Sequence, residues 1–210
     1  MSKSCCLSFA SLVLATLLSQ SAWAENGIRI GLGIGLAQAD SLESIAENFN
    51  ADQFDGAVNL SGDDEASSFT FAIGYQKAAL LGLELGFVDF GNYTLRGNLD
   101  NGSVDGELPR GEWRLESRVT YLGYTPELNL TNSLELTGLI AAFSSNAKVY
   151  VSQPLQAREI IDENSTGVGY GVALKYNFTD FALQVGAKQF AGITEDVDMT
   201  LFDFGVYFTF

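Results

Sequence analysis

The sequence predicts an all-β protein, an eight-stranded antiparallel up-and-down transmembrane β-barrel, on three observations. Large apolar and small residues alternate in eight short runs, the two-residue period of a β-strand. No segment after residue 24 holds enough consecutive apolar residues for a membrane-spanning helix. The joins between runs alternate between long polar stretches and tight turns, as in a meander whose two ends meet different surroundings.

A leader comes first. Lys3 gives a positive start, residues 5–18 are an apolar run, and Ala22-Trp23-Ala24 is a small-x-small cleavage site before Glu25. Residues 1–24 therefore read as a cleaved signal peptide and residues 25–210 as the barrel domain; the alternative is an uncleaved anchor. Cys5 and Cys6 are the chain's 2 cysteines and both lie in the leader, too early for a lipid-modified amino terminus. The mature chain is thus expected to be exported without disulfides, so packing alone must hold it.

Each run presents two unlike faces. Ile28, Ile30, Leu32, Ile34 and Leu36 oppose Gly27, Arg29, Gly31, Gly33 and Gly35. Phe69, Phe71, Ile73 and Tyr75 oppose Ser68, Thr70, Ala72 and Gly74, and Leu81, Leu83, Leu85 and Phe87 oppose Gly82, Glu84 and Gly86. Leu115, Val119 and Tyr121 oppose Glu116, Arg118 and Thr120. A fifth run over residues 134–143 alternates poorly and leaves its facing open. Tyr170, Val172, Leu174 and Tyr176 oppose Gly169, Gly171, Ala173 and Lys175. Phe181, Leu183 and Val185 oppose Ala182, Gln184, Gly186 and Lys188; Phe202, Phe204, Val206, Phe208 and Phe210 oppose Leu201, Asp203, Gly205 and Tyr207. The expected joins are residues 39–67, 77–80, 91–112, 126–132, 144–166, 177–180 and 191–197. Pro109, Pro126 and Pro154, the 3 prolines, all fall in them and break no ladder.

Composition removes several function classes. The chain has 210 residues, 11 Lys+Arg against 26 Asp+Glu, no His, and a formal charge of −15. At 47% hydrophobic it is not a disordered chain. An acidic chain lacks the basic face that neutralises phosphates along nucleic acid. Without histidine there is no imidazole base and no imidazole metal ligand.

The remaining question is which face is inside. Large apolar side chains left in water would cost ~1.5–3 kcal/mol each. An eight-stranded interior is just wide enough for ordinary side-chain filling, and glycine suits that crowded space better than a solvated surface. The apolar face is therefore expected to point out, into lipid. The small-residue face then carries an interior charge network of Arg29, Glu84, Glu116, Arg118, Lys175, Lys188 and Asp203, with Glu135 joining if the fifth strand turns that way. The network reads as salt bridges filling the barrel, or else as a pore lining; buried charges persist only when paired. The excess acid sits in joins: residues 39–67 hold Asp40, Glu43, Glu47, Asp52, Asp55, Asp63, Asp64 and Glu65 with no Lys or Arg.

Two stretches resemble a known family. Leu81-Gly82-Leu83-Glu84-Leu85-Gly86-Phe87-Val88-Asp89-Phe90-Gly91 is similar to the third strand of the OmpA-like outer-membrane β-barrel family. The ending Asp203-Phe204-Gly205-Val206-Tyr207-Phe208-Thr209-Phe210 resembles the terminal assembly signal of that class, with Asp203, Gly205, Phe208 and Phe210 in the signal positions. The resemblance implies a bacterial outer-membrane protein inserted by the β-barrel assembly machinery. It is closest in form to short, barrel-only members, because the sequence stops at Phe210 where OmpA itself continues into a peptidoglycan-binding domain; no single activity follows from it.

No catalytic, cofactor or metal residues are assigned. Ser, Asp and Glu are present, but nothing assembles them with a base. Asp63-Asp64-Glu65 and Glu195-Asp196 with Asp198 lack the spacing of a calcium loop and read as solvated acid. Leu42, Ile45, Ala46 and Phe49 have helical spacing, so residues 40–49 read as a short amphipathic helix in the first long join. Asn-x-Ser/Thr triplets begin at Asn92, Asn101, Asn129, Asn164 and Asn177 and read as turn chemistry. Trp113, Tyr93, Tyr121, Tyr150, Tyr170, Phe204 and Phe208 are candidates for aromatic girdles at the lipid boundaries.

The expected role is non-catalytic, structural or surface-interacting through acidic extracellular loops, with four loops outside and both termini in the periplasm. The expected partners are outer-membrane lipid and lipopolysaccharide, the assembly machinery, and an external surface ligand through residues 39–67, with no nucleic acid. The leading alternative is a narrow porin-like channel for small solutes or ions; an enzyme and a soluble ligand-carrying barrel are the others.

Overall fold

A computed structural model describes residues 27–40, 60–63, 65–78, 80–98, 110–153, 156–194 and 197–210. The expected signal peptide, the expected helix beyond Asp40 and most of the first long join lie outside the described residues. Those described form ten strand segments: β1 Gly27–Ala39, β2 Leu60–Asp63, β3 Glu65–Ala78, β4 Leu81–Asn98, β5 Arg110–Tyr124, β6 Glu127–Asn129, β7 Leu134–Gln153, β8 Gln156–Asn177, β9 Phe181–Thr194 and β10 Val197–Thr209.

They make eight staves. β2 and β3 follow one another on one stave; β5 and β6 share another, interrupted where Pro126 has no N–H to give a ladder. Neighbours run β1-β3-β4-β5-β7-β8-β9-β10, all antiparallel, with β6 also on β7. β10 returns to β1, pairing Phe208 with Ile30 and Phe202 with Leu36. The ring is therefore closed, with no edge at the level of the belt. We call the end holding Gly27 and Phe210 the lower end.

Around the lower part of the ring the outer surface is apolar. Ile28 to Leu36 on β1, Phe69 to Tyr75 on β3, Leu81 to Phe87 on β4, Val168 to Tyr176 on β8 and Phe202 to Phe210 on β10 turn their large side chains outward, Ile34 at 67% exposure. Nine residues from Ile28 to Leu36 match the length a tilted strand needs to cross hydrocarbon. Along the lower rim Phe178 stacks on Phe181, centroids 4.6 Å apart, and meets Tyr176 edge-on at 4.9 Å. Glycine lines the inside where rings need room: a Cβ on Gly86 would strike the Tyr121 ring, and one on Gly31 the Tyr207 ring.

Above this belt the alternation keeps its period but reverses its meaning. On β4 the change is made by a bulge between Asp89 and Asn92. Gly91 supplies the left-handed backbone (φ 76°), and its N–H donates to Asp89 Oδ1 at 3.0 Å. Beyond it Tyr93 and Leu95 are buried, while Arg96 faces out. On β5 no bulge is needed. Trp113, Leu115, Val119 and Tyr121 all point inward and are buried, whereas Leu122 and Tyr124 stand in the belt.

Leu115, Val119 and Tyr121, expected on the lipid face, lie inside. The joins expected at 91–112 and 144–166 are strand wherever they are described, since β4 runs to Asn98, β5 begins at Arg110, β7 runs to Gln153 and β8 begins at Gln156. Leu115 and Val119 turn in because they lie above the lipid boundary. An apolar residue in alternation marks lipid below the boundary, but above it water is outside, so the apolar side turns in, as in a soluble barrel.

Candidate functional site: the filled lumen

The lumen is packed in layers. Lowest is a charged cluster drawn from four staves. Arg29 of β1 and Lys175 of β8 both pair with Glu127 of β6, and Lys175 Nζ also lies 2.8 Å from Glu135 of β7. Gln76 Nε2 donates to the Ala78 carbonyl at 2.6 Å. Beside them is a polar cavity lined by Arg29, Glu84, Glu127, Thr137 and Lys175, with space for about one water.

Next is a mixed layer. Tyr121 donates its hydroxyl to Glu84 Oε1 at 2.6 Å, and Lys188 Nζ meets Asp203 Oδ2 at 2.7 Å. Opposite charges held together in so dry a place are stable as pairs and costly when one partner is removed.

The upper layer is aromatic. Phe190 of β9 is the hub: Phe90 and Phe143 meet it edge-on, each with centroids 5.6 Å away, and Tyr121 tilts against it at 5.8 Å. Leu115, Leu201, Met199, Ile193 and Trp113 belong to the same buried cluster. Aromatic rings at this spacing are close-packed.

Of the expected network, Arg29, Glu84, Lys175, Lys188 and Asp203 face the lumen. Glu116 and Arg118 do not: Arg118 is 64% exposed at the side chain and its Nε lies 3.0 Å from Asp89 Oδ2, while Glu116 Oε1 lies 3.1 Å from Arg114 Nε. The inverted facing of β5 puts them outside. Glu127 was missed because residues 126–132 read as a join. Its signal was present: the inward positions Tyr121, Gly123 and Thr125 continue in step through Pro126 to Glu127. Glu135 does face inward. Trp113, Tyr93 and Tyr121, expected in the girdles, are core residues, whereas Tyr170, Phe204 and Phe208 stand outside.

The upper outer wall is polar. Arg96 Nε lies 3.1 Å from Glu112, Lys148 Nζ 3.2 Å from Asp162, and the Arg114 guanidinium 5.9 Å from the Tyr150 ring centre. The Lys148 ammonium, with the Asn146 amide, holds the Asp162 carboxyl below its ordinary range. Asp198, expected in an acidic run, accepts from the Gly192 N–H at 2.8 Å and so braces a second bulge. Among the described residues no group of three acidic, Cys or His side chains is gathered as a metal site.

Eight antiparallel staves thus surround a packed lumen, with an apolar belt outside. The OmpA-like transmembrane domain matches residues 23–185. The chain belongs to that family. Membership makes it a non-enzymatic β-barrel of the bacterial outer membrane, with lipid around its belt. Among solved structures, Ail, the attachment invasion locus protein of Yersinia pestis, in complex with the heparin analogue sucrose octasulfate, is 18% identical (88% of this chain, 99% of that one, TM-score 0.45). Neisserial surface protein A is 15% identical (88% and 97%, TM-score 0.47). OprG from Pseudomonas aeruginosa is 14% identical (88% and 97%, TM-score 0.43). No curated protein matches the chain.

Proposed function

We propose that this family member is a non-conducting barrel whose work is done outside the lumen: it displays acidic surface segments to an external partner and helps build the envelope. The observation that carries the reading is the Phe90–Phe143–Phe190 layer across the axis. A solute would have to part three buried rings and then pass the ion pairs of Glu127 and Asp203. The channel alternative needs both layers open together, and an eight-stranded interior offers little space beyond its own side chains. The lower end faces the periplasm, and the upper end, where the acidic stretch after Ala39 leaves β1, faces the cell's exterior.

Lipopolysaccharide surrounds the upper end and the assembly machinery reads the chain's last residues. Phe208 and Phe210 turn outward at the seam where β10 meets β1, within reach of an external receptor, and Gly205 and Asp203 line the inner side. Removing Phe210 is therefore expected to slow insertion in cells while leaving refolding into pure lipid intact.

The test of the main reading is reconstitution into planar bilayers. Wild-type protein is expected to give no steady conductance steps. Reproducible steps that respond to Glu127→Gln or Lys175→Gln would favour the channel.

A further inference from the structure

Between β8 and β9 the ladder ends before either strand does. It runs from Asn177–Ala182 up to Val168–Ala191 and stops, although β8 extends back to Gln156 and β9 goes on to Thr194. Among the described residues, no strand pairs with β8 on that side from Glu163 to Gly167.

β9 instead turns inward across the inner face of β8, and two serines hold it there. Ser165 of β8 donates its hydroxyl to the Gly192 carbonyl at 2.9 Å. Ser145 of β7, one stave further round, donates to the Ile193 carbonyl at 2.8 Å. Side-chain bonds thus stand where ladder bonds would otherwise run. On its other side the turned segment stays tied to the ring, since the Asp40 N–H donates to the Asp198 carbonyl at 3.0 Å.

The turned segment covers the apolar upper layer. Ile193 is 0% and Val197 1% exposed, and both belong to the buried cluster that holds Trp113, Leu115 and Val149. Gly192 makes the turn with a left-handed backbone, φ 81°, and a Cβ there would meet nothing within 4 Å. Glycine passes between this conformation and an extended one at little steric cost, and the open space gives its backbone room to do so.

We infer that the top of the β9–β10 hairpin is a hinged cap. Gly192 lets it swing between the tucked position, held by Ser145 and Ser165, and an upright one in which β9 completes its ladder on β8. Continuing the register from Val168–Ala191 pairs Gly167 with Gly192, Thr166 with Ile193 and Ser165 with Thr194. Backbone carbonyls find donors in either position, so the swing leaves none of these polar groups dry. The tucked position is the resting one because it keeps Ile193 and Val197 out of water. Raised, the cap uncovers the inner face that carries Trp113.

Thr166→Cys with Ile193→Cys reads the upright position. Thr166 faces outward and Ile193 inward, on opposite sides of β8, so the two link only when the cap rises. The mature chain is expected to carry no other cysteine. In folded barrels in detergent, mild copper–phenanthroline oxidation is expected to form the disulfide. The rate is expected to rise about tenfold when Ser145→Ala and Ser165→Ala are added, the factor that two hydroxyl bonds of ordinary net strength supply. Trp113, expected to be the mature chain's single tryptophan, reports what the cap covers: acrylamide quenching should rise in the linked form and fall again on reduction. Gel mobility checks that the barrel stays folded. Should the cysteine pair not fold, Val197→Cys alone, read by its rate of reaction with a water-soluble maleimide, is expected to show the same acceleration by the two serine substitutions. Failure to link in folded barrels, a linking or maleimide rate indifferent to both serines, or a linked form whose Trp113 is as shielded as in wild type overturns the proposal. None of these readings involves conductance or the acidic segments, so this inference and the proposed function fail separately.

Discussion

Lys188 and Asp203 meet inside the barrel across the seam of β9 and β10: Nζ lies 2.7 Å from Oδ2, and both side chains are 5% exposed. Truncating one partner leaves the other's charge dry. Lys188→Met is expected to cost ~3–5 kcal/mol of unfolding free energy, whereas Lys188→Met with Asp203→Leu recovers most of it because no buried charge remains. Urea unfolding in lipid vesicles measures both. Refolding from pure chain also isolates this packing role of Asp203 from its place in the terminal assembly signal.

Phe190 is the hub of the aromatic layer. Phe190→Ala removes a ring that touches Phe90, Phe143 and Tyr121, and is expected to cost ~3–5 kcal/mol, less if the neighbours collapse into the space. The same variant in planar bilayers is expected to show intermittent leak where wild type is silent.

The two bulge glycines should respond unequally. Gly91 and Gly192 both have positive φ, at 76° and 81°. A Cβ at Gly91 would run into the Ser67 carbonyl oxygen, while one at Gly192 meets nothing within 4 Å. Gly192→Ala should therefore cost only the backbone term, ~1–2 kcal/mol, and Gly91→Ala distinctly more. The urea midpoints order the two.

Acid should loosen the β7–β8 hairpin through Asp162. Its carboxyl is held below the usual range, chiefly by its bond with Lys148 and then by Asn146. A depressed folded pKa means that the contribution is fully present above the unfolded carboxylate value, near 3.9, and is lost as pH falls through the folded value. Asp162→Asn is expected to flatten the pH dependence of hydrogen exchange in this hairpin below about pH 4. The site is exposed, so the effect is small. A variant whose exchange varies with pH as wild type does would show that Asp162 has no part in it.

Much of this fold was legible because one physical rule, apolar side chains toward lipid, governs the lower barrel. Ile28 to Leu36 and Phe202 to Phe210 obey it without exception. Arg29, Lys175, Lys188 and Asp203 followed from the same rule, being charges on the opposite face of greasy strands. The rule loses its meaning where the outside becomes water. Leu115 and Val119 alternate as regularly as any belt residue, and only the depth at which β5 leaves the lipid says which way they turn. Depth is a property of the assembled ring, set by neighbours such as the Asp89–Arg118 pair. Gly91 adds a second obstacle: one inserted residue swaps the faces of everything after it. Glu127 was hidden for a simpler reason, since Pro126 beside it reads as a break although the stave continues past it.

The boundary on β5 tests the account most directly. The mature chain is expected to carry no cysteine, so single cysteines can be placed from position 112 to 124 and spin-labelled in lipid vesicles. Accessibility to oxygen reports lipid, and accessibility to a water-soluble nickel chelate reports water. Labels at 120, 122 and 124 are expected to be oxygen-accessible and those at 112, 114, 116 and 118 nickel-accessible, with 113, 115, 117, 119 and 121 shielded from both. Oxygen-accessible labels at 115 and 119, with 116 and 118 shielded, would contradict the account and return Leu115 and Val119 to the lipid face.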